Sequence, residues 1–153
     1  MALPRVGEKA PHFSLPTQSG ENISLKDFIG KKVILYFYPK DDTSGCTRES
    51  CSFRDNIKII KRKGAVVIGA SIDTVDSHQK FASKYDLPFP LVSDVEKELV
   101  KKYGVWQEKS MYGRKYLGIV RTTFVIDEKG AIPHIIPKVK VEGHIEELLA
   151  LLT

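Results

Sequence analysis

Two cysteines, Cys46 and Cys51, stand five residues apart in the stretch Tyr38-Pro-Lys-Asp-Asp-Thr-Ser-Gly-Cys-Thr-Arg-Glu-Ser-Cys51. A cysteine does its chemistry as a thiolate nucleophile, as a metal ligand or as half of a disulfide. The run just before them, Val33-Ile-Leu-Tyr-Phe-Tyr38, is continuous, β-branched and aromatic, the pattern of a strand covered on both faces. A segment of helical length follows, from about Ser44 to Arg62, with Gly64 placed to end it. Cys46 then falls in the first turn of a helix that opens at the carboxyl end of a buried strand. Ligand chemistry gathers at that end of open α/β sheets. The free N–H groups and positive dipole end of such a helix favour the thiolate, the nucleophilic form. Asp42, Thr43 and Ser44 are all competent N-caps, so the helix start is fixed only to within a residue or two.

The spacing constrains the pair. Five residues along an α-helix give roughly 7.5 Å of rise, a turn of about 140° and a Cα separation near ~8.6 Å. A disulfide needs less than about 7 Å. The two cysteines therefore cannot bond while the helix is intact, and a permanent staple is disfavoured. Cys-x4-Cys offers a metal two ligands, and His12, His78, His134 and His144 show no second ligand spacing. Two unrelated buried thiols remain an alternative to a reactive pair.

The elements that must position these residues alternate along the chain. Ala65 to Ile72 is a second continuous apolar strand, completing a β-α-β unit with the first. A helix is signalled from Asp76 or Ser77 through Phe81 and Tyr85 and must stop before Pro88. Leu91-Val92 is a short strand, and Val95 to Tyr103 a helix ending at Gly104. Arg121 to Ile126 and Ile132 to Ile136 flank Asp127-Glu-Lys-Gly130, which predicts an antiparallel hairpin. Ile145, Leu148, Leu149 and Leu152 give Glu142 to Leu152 the spacing of an amphipathic closing helix, and His12 to Leu25 reads as a small hairpin around Ser19-Gly20.

With 153 residues, 42% hydrophobic and 28% charged, the chain has the size and balance of one α/β domain spanning residues 1–153. Its longest apolar run is far short of a membrane span. The N-terminus shows no export or transit pattern, so the cytoplasm is the expected compartment. Two cysteines cannot build the multi-bridge framework of a small secreted protein. The net charge of +5 is carried by short basic clusters such as Lys61-Arg62-Lys63, interleaved with acids, which reads as a solvated surface and not as a nucleic-acid interface.

The run Phe37-Tyr-Pro-Lys-Asp-Asp-Thr-Ser-Gly-Cys-Thr-x-Glu-x-x-Cys51 resembles the peroxiredoxins of the bacterioferritin comigratory protein, or peroxiredoxin Q, subgroup. The motif Pro-x3-Thr-x2-Cys is specific in this context. The resemblance extends to Gly7-Glu-Lys-Ala-Pro-His-Phe13, Gly69-Ala-Ser-Ile-Asp73, Lys102-Tyr-Gly-Val-Trp106, Tyr112-Gly-Arg114 and Gly118 to Asp127. It implies a thioredoxin-like fold, with a mixed central sheet flanked by helices and an N-terminal β-hairpin. It implies reduction of hydroperoxides with no metal or organic cofactor and recycling by thioredoxin or a similar dithiol; a monomer is the expected state.

Position by position, the resemblance makes Cys46 the peroxidatic cysteine and Cys51 the resolving cysteine, joined in an intramolecular disulfide. Thr43 matches the motif threonine that hydrogen-bonds peroxide and sulfur, and Pro39 shields the pocket. Arg121 matches the family arginine that holds the thiolate and the departing oxygen. Without that match, Thr43 would read as an N-cap and Arg121 as a solvated surface residue. Glu49, one turn after Cys46, would oppose thiolate formation if it stood alone, so it is expected to face Arg121 or another cation. Ser44 departs from the family, which often has Pro there. The same cysteine pair also suits a redox-sensing or chaperone-like protein, whereas a disulfide oxidoreductase would carry Cys-x-x-Cys, which is absent.

Overall fold

A computed structural model describes residues 3–152; residues 1, 2 and 153, and the parts of the N-terminal and domain-boundary readings that fall on them, lie outside the described residues. The chain opens with the expected small hairpin, β1 (Ser14–Pro16) paired antiparallel with β2 (Asn22–Ser24). Its centre is β3 (Lys32–Phe37), followed by helix α1 (Ser44–Asp55), helix α2 (Ile57–Arg62) and β4 (Ala65–Ser71). Helix α3 (Val75–Tyr85), β5 (Leu91–Ser93) and helix α4 (Glu98–Lys102) come next. Then follow β6 (Trp106–Met111), β7 (Arg114–Ile119), β8 (Thr122–Ile126), β9 (His134–Ile136) and the closing helix α5 (His144–Leu151).

Five of these strands form one mixed sheet in the order β5-β4-β3-β8-β9. β3, β4 and β5 run parallel, while β8 and β9 are antiparallel to their neighbours. This is the thioredoxin-like arrangement the resemblance implies. Strand alternation splits the core in two. Val33, Leu35 and Phe37 pack on Ile68, Phe124 and the α4 residues Leu99 and Val100. Ile34, Tyr36 and Tyr38 pack on Phe53 of α1, Phe81 of α3 and Leu148 of α5. The side chains from Val33 to Tyr38 are all buried, and each contributes about 1.5–3 kcal/mol by leaving water. The strand that aims the cysteine loop is thus firmly held, paired on both sides and packed on both faces.

Several boundaries differ from the sequence reading for identifiable reasons. The single helix expected from Ser44 to Arg62 is broken at Asn56, whose Nδ2 donates to the Ser52 carbonyl at 2.8 Å and competes with the backbone ladder. Helix α3 starts earlier than Asp76, because Thr74 caps it by accepting from the Ser77 N–H at 3.1 Å. The helix expected from Val95 shrinks to five residues: Asp94 accepts from the Leu99 and Val100 N–H groups, and Lys97 takes a left-handed turn. Helix α5 begins two residues later than expected, after Gly143. The hairpin across Asp127 to Gly130 is present, with the Asp127 carboxylate accepting from the Lys129 and Ala131 N–H groups. The second hairpin, β6-β7, was not anticipated. Its turn residues Tyr112 and Gly113 both have positive φ, the geometry of a type I′ turn, without the Asn-Gly pair that usually announces one. No helix among the described residues is long and apolar enough to cross a membrane.

Candidate active site

β3 ends at Phe37, and a short loop through Pro39 and Asp41 delivers the chain to Thr43, the N-cap residue of α1. The Thr43 carbonyl accepts from the Thr47 N–H at 2.8 Å, closing the first helical bond. Its side chain does not cap. The hydroxyl instead donates to the Lys40 carbonyl at 2.9 Å and stays exposed, leaving the first helical N–H groups without a side-chain cap. Ser44 occupies the first helical position, where Pro would be preorganised, so the departure from the family pattern falls where it alters loop stiffness and not the helix ladder.

Cys46 is the third residue of α1 and is buried, 1% exposed. Arg121, the residue before β8, places Nη2 3.3 Å from the Cys46 sulfur. The close approach depends on Gly45, since a Cβ there would lie 3.2 Å from Arg121 Nη2. The other arm of the guanidinium, Nη1, donates to Glu49 Oε1 at 2.7 Å. Glu49 is 1% exposed, so the pair is buried on the carboxylate side. Burial works against the guanidinium charge, but Glu49 and Cys46 together outweigh it and raise the Arg121 pKa above its ordinary value. The residues anticipated as a site therefore converge: Arg121 touches both Cys46 and Glu49, with Thr43 and half-buried Pro39 on the adjoining loop. Cys51 stands apart as a free, half-buried thiol, and burial pushes its pKa up.

A fourth member of this network was not singled out in the sequence. His144, at the start of α5, is buried beside Thr123, with Nε2 3.0 Å from the hydroxyl and 3.8 Å from Glu49 Oε2. The Phe53 ring meets its imidazole edge to face. Glu49 Oε2 and His144 Nδ1 are both buried without a hydrogen-bond partner. Nothing local marks His144, because its neighbours Glu49 and Thr123 arrive from distant parts of the chain.

Burial pushes the Glu49 carboxyl up to about 7 against the pull of Arg121. Burial, with Arg121 adding to it, holds His144 down to about 4. Between pH 4.5 and 6.5, folding thus favours a proton on the Glu49 carboxyl and a neutral His144 imidazole. The stability held by protonated Glu49 is complete below its ordinary value of 4.5 and is lost as pH rises through about 7. The stability held by neutral His144 is complete above 6.5 and is lost as pH falls through about 4. The two contributions oppose each other over nearly the same window, so each masks the other. In urea titrations from pH 4 to 7, Glu49→Gln should make stability climb more steeply with pH than in the wild type. His144→Asn should tilt the slope the other way. Slopes shifted in the same direction by both variants would show that the two groups do not titrate as described.

A mixed thioredoxin-like sheet carrying a buried thiol at a helix N-terminus, under an arginine, defines a thiol-peroxidase type of site. The model of the AhpC/TSA family matches residues 6–135. A Coxiella burnetii protein of the bcp type is 56% identical over 144 residues, covering 94% of this chain and 95% of its own. Peroxiredoxin Bcp of Bacillus subtilis is 44% identical, with 94% and 92% covered. Among solved structures, peroxiredoxin Q of Xanthomonas campestris superposes with a TM-score of 0.87 at 39% identity, covering 92% of this chain and 89% of that one. A mutant PrxQ of Xylella fastidiosa superposes with a TM-score of 0.94 at 35% identity, covering 99% and 97%. The chain belongs to the AhpC/TSA family, in its Bcp/peroxiredoxin Q branch, and is a thiol peroxidase.

Proposed function

We propose that this protein reduces hydrogen peroxide and organic hydroperoxides through Cys46 and forms an intramolecular Cys46–Cys51 disulfide in doing so. The observation that carries the reading is the Arg121 guanidinium 3.3 Å from the Cys46 sulfur, at the open N-terminus of α1. The Cys46 thiolate attacks the terminal peroxide oxygen. The S–O bond forms as the O–O bond breaks, and the departing alkoxide or hydroxide takes a proton to leave as alcohol or water, with sulfur oxidised to sulfenic acid. Arg121 donates toward the sulfur and the departing oxygen, where negative charge passes. Thr43, whose exposed hydroxyl donates to the Lys40 carbonyl and keeps its oxygen free to accept, orients the peroxide, and Pro39 walls the pocket. Glu49 fixes the guanidinium from behind. Cys51 then displaces hydroxide from the sulfenic acid, which leaves as water, and an external dithiol such as thioredoxin reduces the resulting disulfide. The same activity has been named for a relative: a Xanthomonas campestris bacterioferritin comigratory protein structure is described in terms of alkyl peroxide reduction. A single domain acting as a cytoplasmic monomer completes the reading.

One equivalent of hydrogen peroxide, added to reduced protein, should remove both thiols and leave a product two hydrogens lighter by mass. In Cys51→Ser the first equivalent should vanish at the wild-type rate, but turnover with a thioredoxin-type dithiol should stall and Cys46 should advance to sulfinic acid. Undiminished turnover in that variant would assign Cys51 a structural role.

A further inference from the structure

Behind the loop that carries Thr43 and Cys46 lies a second buried polar cluster that the peroxide chemistry above does not use. Asp41 is buried, and its carboxylate accepts from the Tyr38 hydroxyl at 2.6 Å and the Ser77 hydroxyl at 2.8 Å. His78 of α3, wholly buried, brings Nδ1 within 2.7 Å of Asp41 Oδ2. The other ring nitrogen, Nε2, lies 2.9 Å from the Val92 carbonyl of β5. A carbonyl only accepts, so Nε2 carries a proton; a carboxylate oxygen faces Nδ1, so a second proton lies between ring and carboxylate. Asp73, held by the Ser71 hydroxyl at 2.6 Å, accepts from the Asp41 backbone N–H at 2.9 Å. Asp41, Asp73 and His78 have the spacing of a cation site. Both His78 nitrogens and the Asp41 carboxylate are nevertheless already engaged, and a metal would have to expel the His78 proton and break these bonds.

The next residue is clamped from the same helix. Asp42 sits in the left-handed region at φ 57, a conformation that costs a non-glycine residue free energy unless its surroundings impose it. Lys84 donates to its carboxylate at 2.8 Å and Tyr85 at 2.7 Å. Helix α3 thus grips two successive loop residues, and the loop's next residue is Thr43. The Thr43 hydroxyl is fixed in turn to the carbonyl of Lys40, the residue just before Asp41.

We propose that the Asp41–His78 pair is a positioning device for peroxide reduction, a proton-bridged clamp through which α3 sets the loop that aims Thr43 and Cys46 at the substrate. The proposal rests on the reading of Cys46 as the peroxidatic cysteine. Neither Asp41 nor His78 touches the sulfur, so both act through the backbone of residues 40–43. Catalytic groups displaced by about 1 Å can lose about 10²-fold in rate, and the buried pair ties this loop to α3 at 2.7 Å.

The test is the second-order rate of Cys46 oxidation by hydrogen peroxide, followed in single turnover, for Asp41→Asn, His78→Gln and the double variant. The melting temperature of each is measured alongside. Each single variant should slow oxidation by about tenfold or more at a temperature where it is fully folded, and the double variant should be no slower than the worse single one. Alkylation of Cys46 by iodoacetamide, which needs no aligned peroxide, should not fall in parallel. A pair with a merely structural role would lower the melting temperature and leave the peroxide rate of the folded protein untouched, which would overturn the proposal. So would effects that multiply independently in the double variant. If Asp41→Asn or His78→Gln does not fold, Ser77→Ala, which removes one donor to the same carboxylate, should still slow oxidation several-fold, and an unchanged rate there would be equally fatal. Failure of wild-type Cys46 to be oxidised at all would instead refute the peroxidatic reading and is recognised by mass before any variant is made.

Discussion

Arg121→Ala should lower the rate constant for peroxide reduction by about 10²–10³-fold, on the order of 2.7–4 kcal/mol, the scale for removing one preorganised donor from a developing charge. Cys46→Ser should abolish the reaction. The arginine effect is large because one guanidinium spans two partners, Nη2 on the Cys46 sulfur and Nη1 on Glu49, and no other cation touches the sulfur among the described contacts. Arg121→Lys tests the geometry apart from the charge. An ammonium is a compact charge on a flexible stem and cannot hold sulfur and carboxylate in one plane. Lysine should therefore recover part of the rate and leave Glu49 less well paired. Stopped-flow oxidation of each reduced variant measures the step directly. An effect of Arg121→Ala below threefold would return this residue to the solvated surface role that a charged residue beside a strand ordinarily has.

Cys46, Thr43 and Pro39 were legible because they are contiguous, and a contiguous motif carries its geometry with it once the flanking strand and helix are recognised. Arg121 is 75 residues from the thiol it touches, and only the family resemblance linked the two. His144 and the Asp41–His78 pair had no such link, since a buried polar residue is defined by partners that the fold brings together. Asp41 and His78 are 37 residues apart, and alone each reads as an ordinary loop or helix polar residue. The long apolar strands β3 and β4 announced themselves, because both faces are covered. The β6-β7 hairpin did not, since Gln107, Glu108, Lys109 and Ser110 are polar in succession and its exposed turn lacks the usual residues. The break at Asn56 was invisible for a related reason: whether an asparagine continues a helix or bonds its own backbone depends on packing around the next turn.

Oxidation should melt the first turns of α1. Cys46 and Cys51 both lie inside this helix, whose regular geometry holds their Cα atoms near ~8.6 Å, beyond the reach of a disulfide. What must give way is well defined. Cys46, Glu49, Ser50 and Phe53 are all buried along one face of α1, the Ser50 hydroxyl lies 2.8 Å from Tyr36, and Glu49 is held by Arg121. Unwinding releases Glu49 to water, where a carboxylate needs no partner, and converts the sulfur that Arg121 held, so part of the cost falls on contacts that oxidation has already changed. The break at Asn56 gives the unwinding a natural stop before α2. By hydrogen exchange, amides from Thr47 to about Arg54 should lose protection in the disulfide form, while α2 and the strands β3 and β4 keep theirs. The strands hold because β3 is paired on both sides and buried on both faces. The loosened segment would then offer the disulfide to a reducing dithiol. Equal protection of α1 in both redox states, with the Cys46–Cys51 bond confirmed by mass, would mean that the two cysteines meet by a movement other than unwinding of this helix.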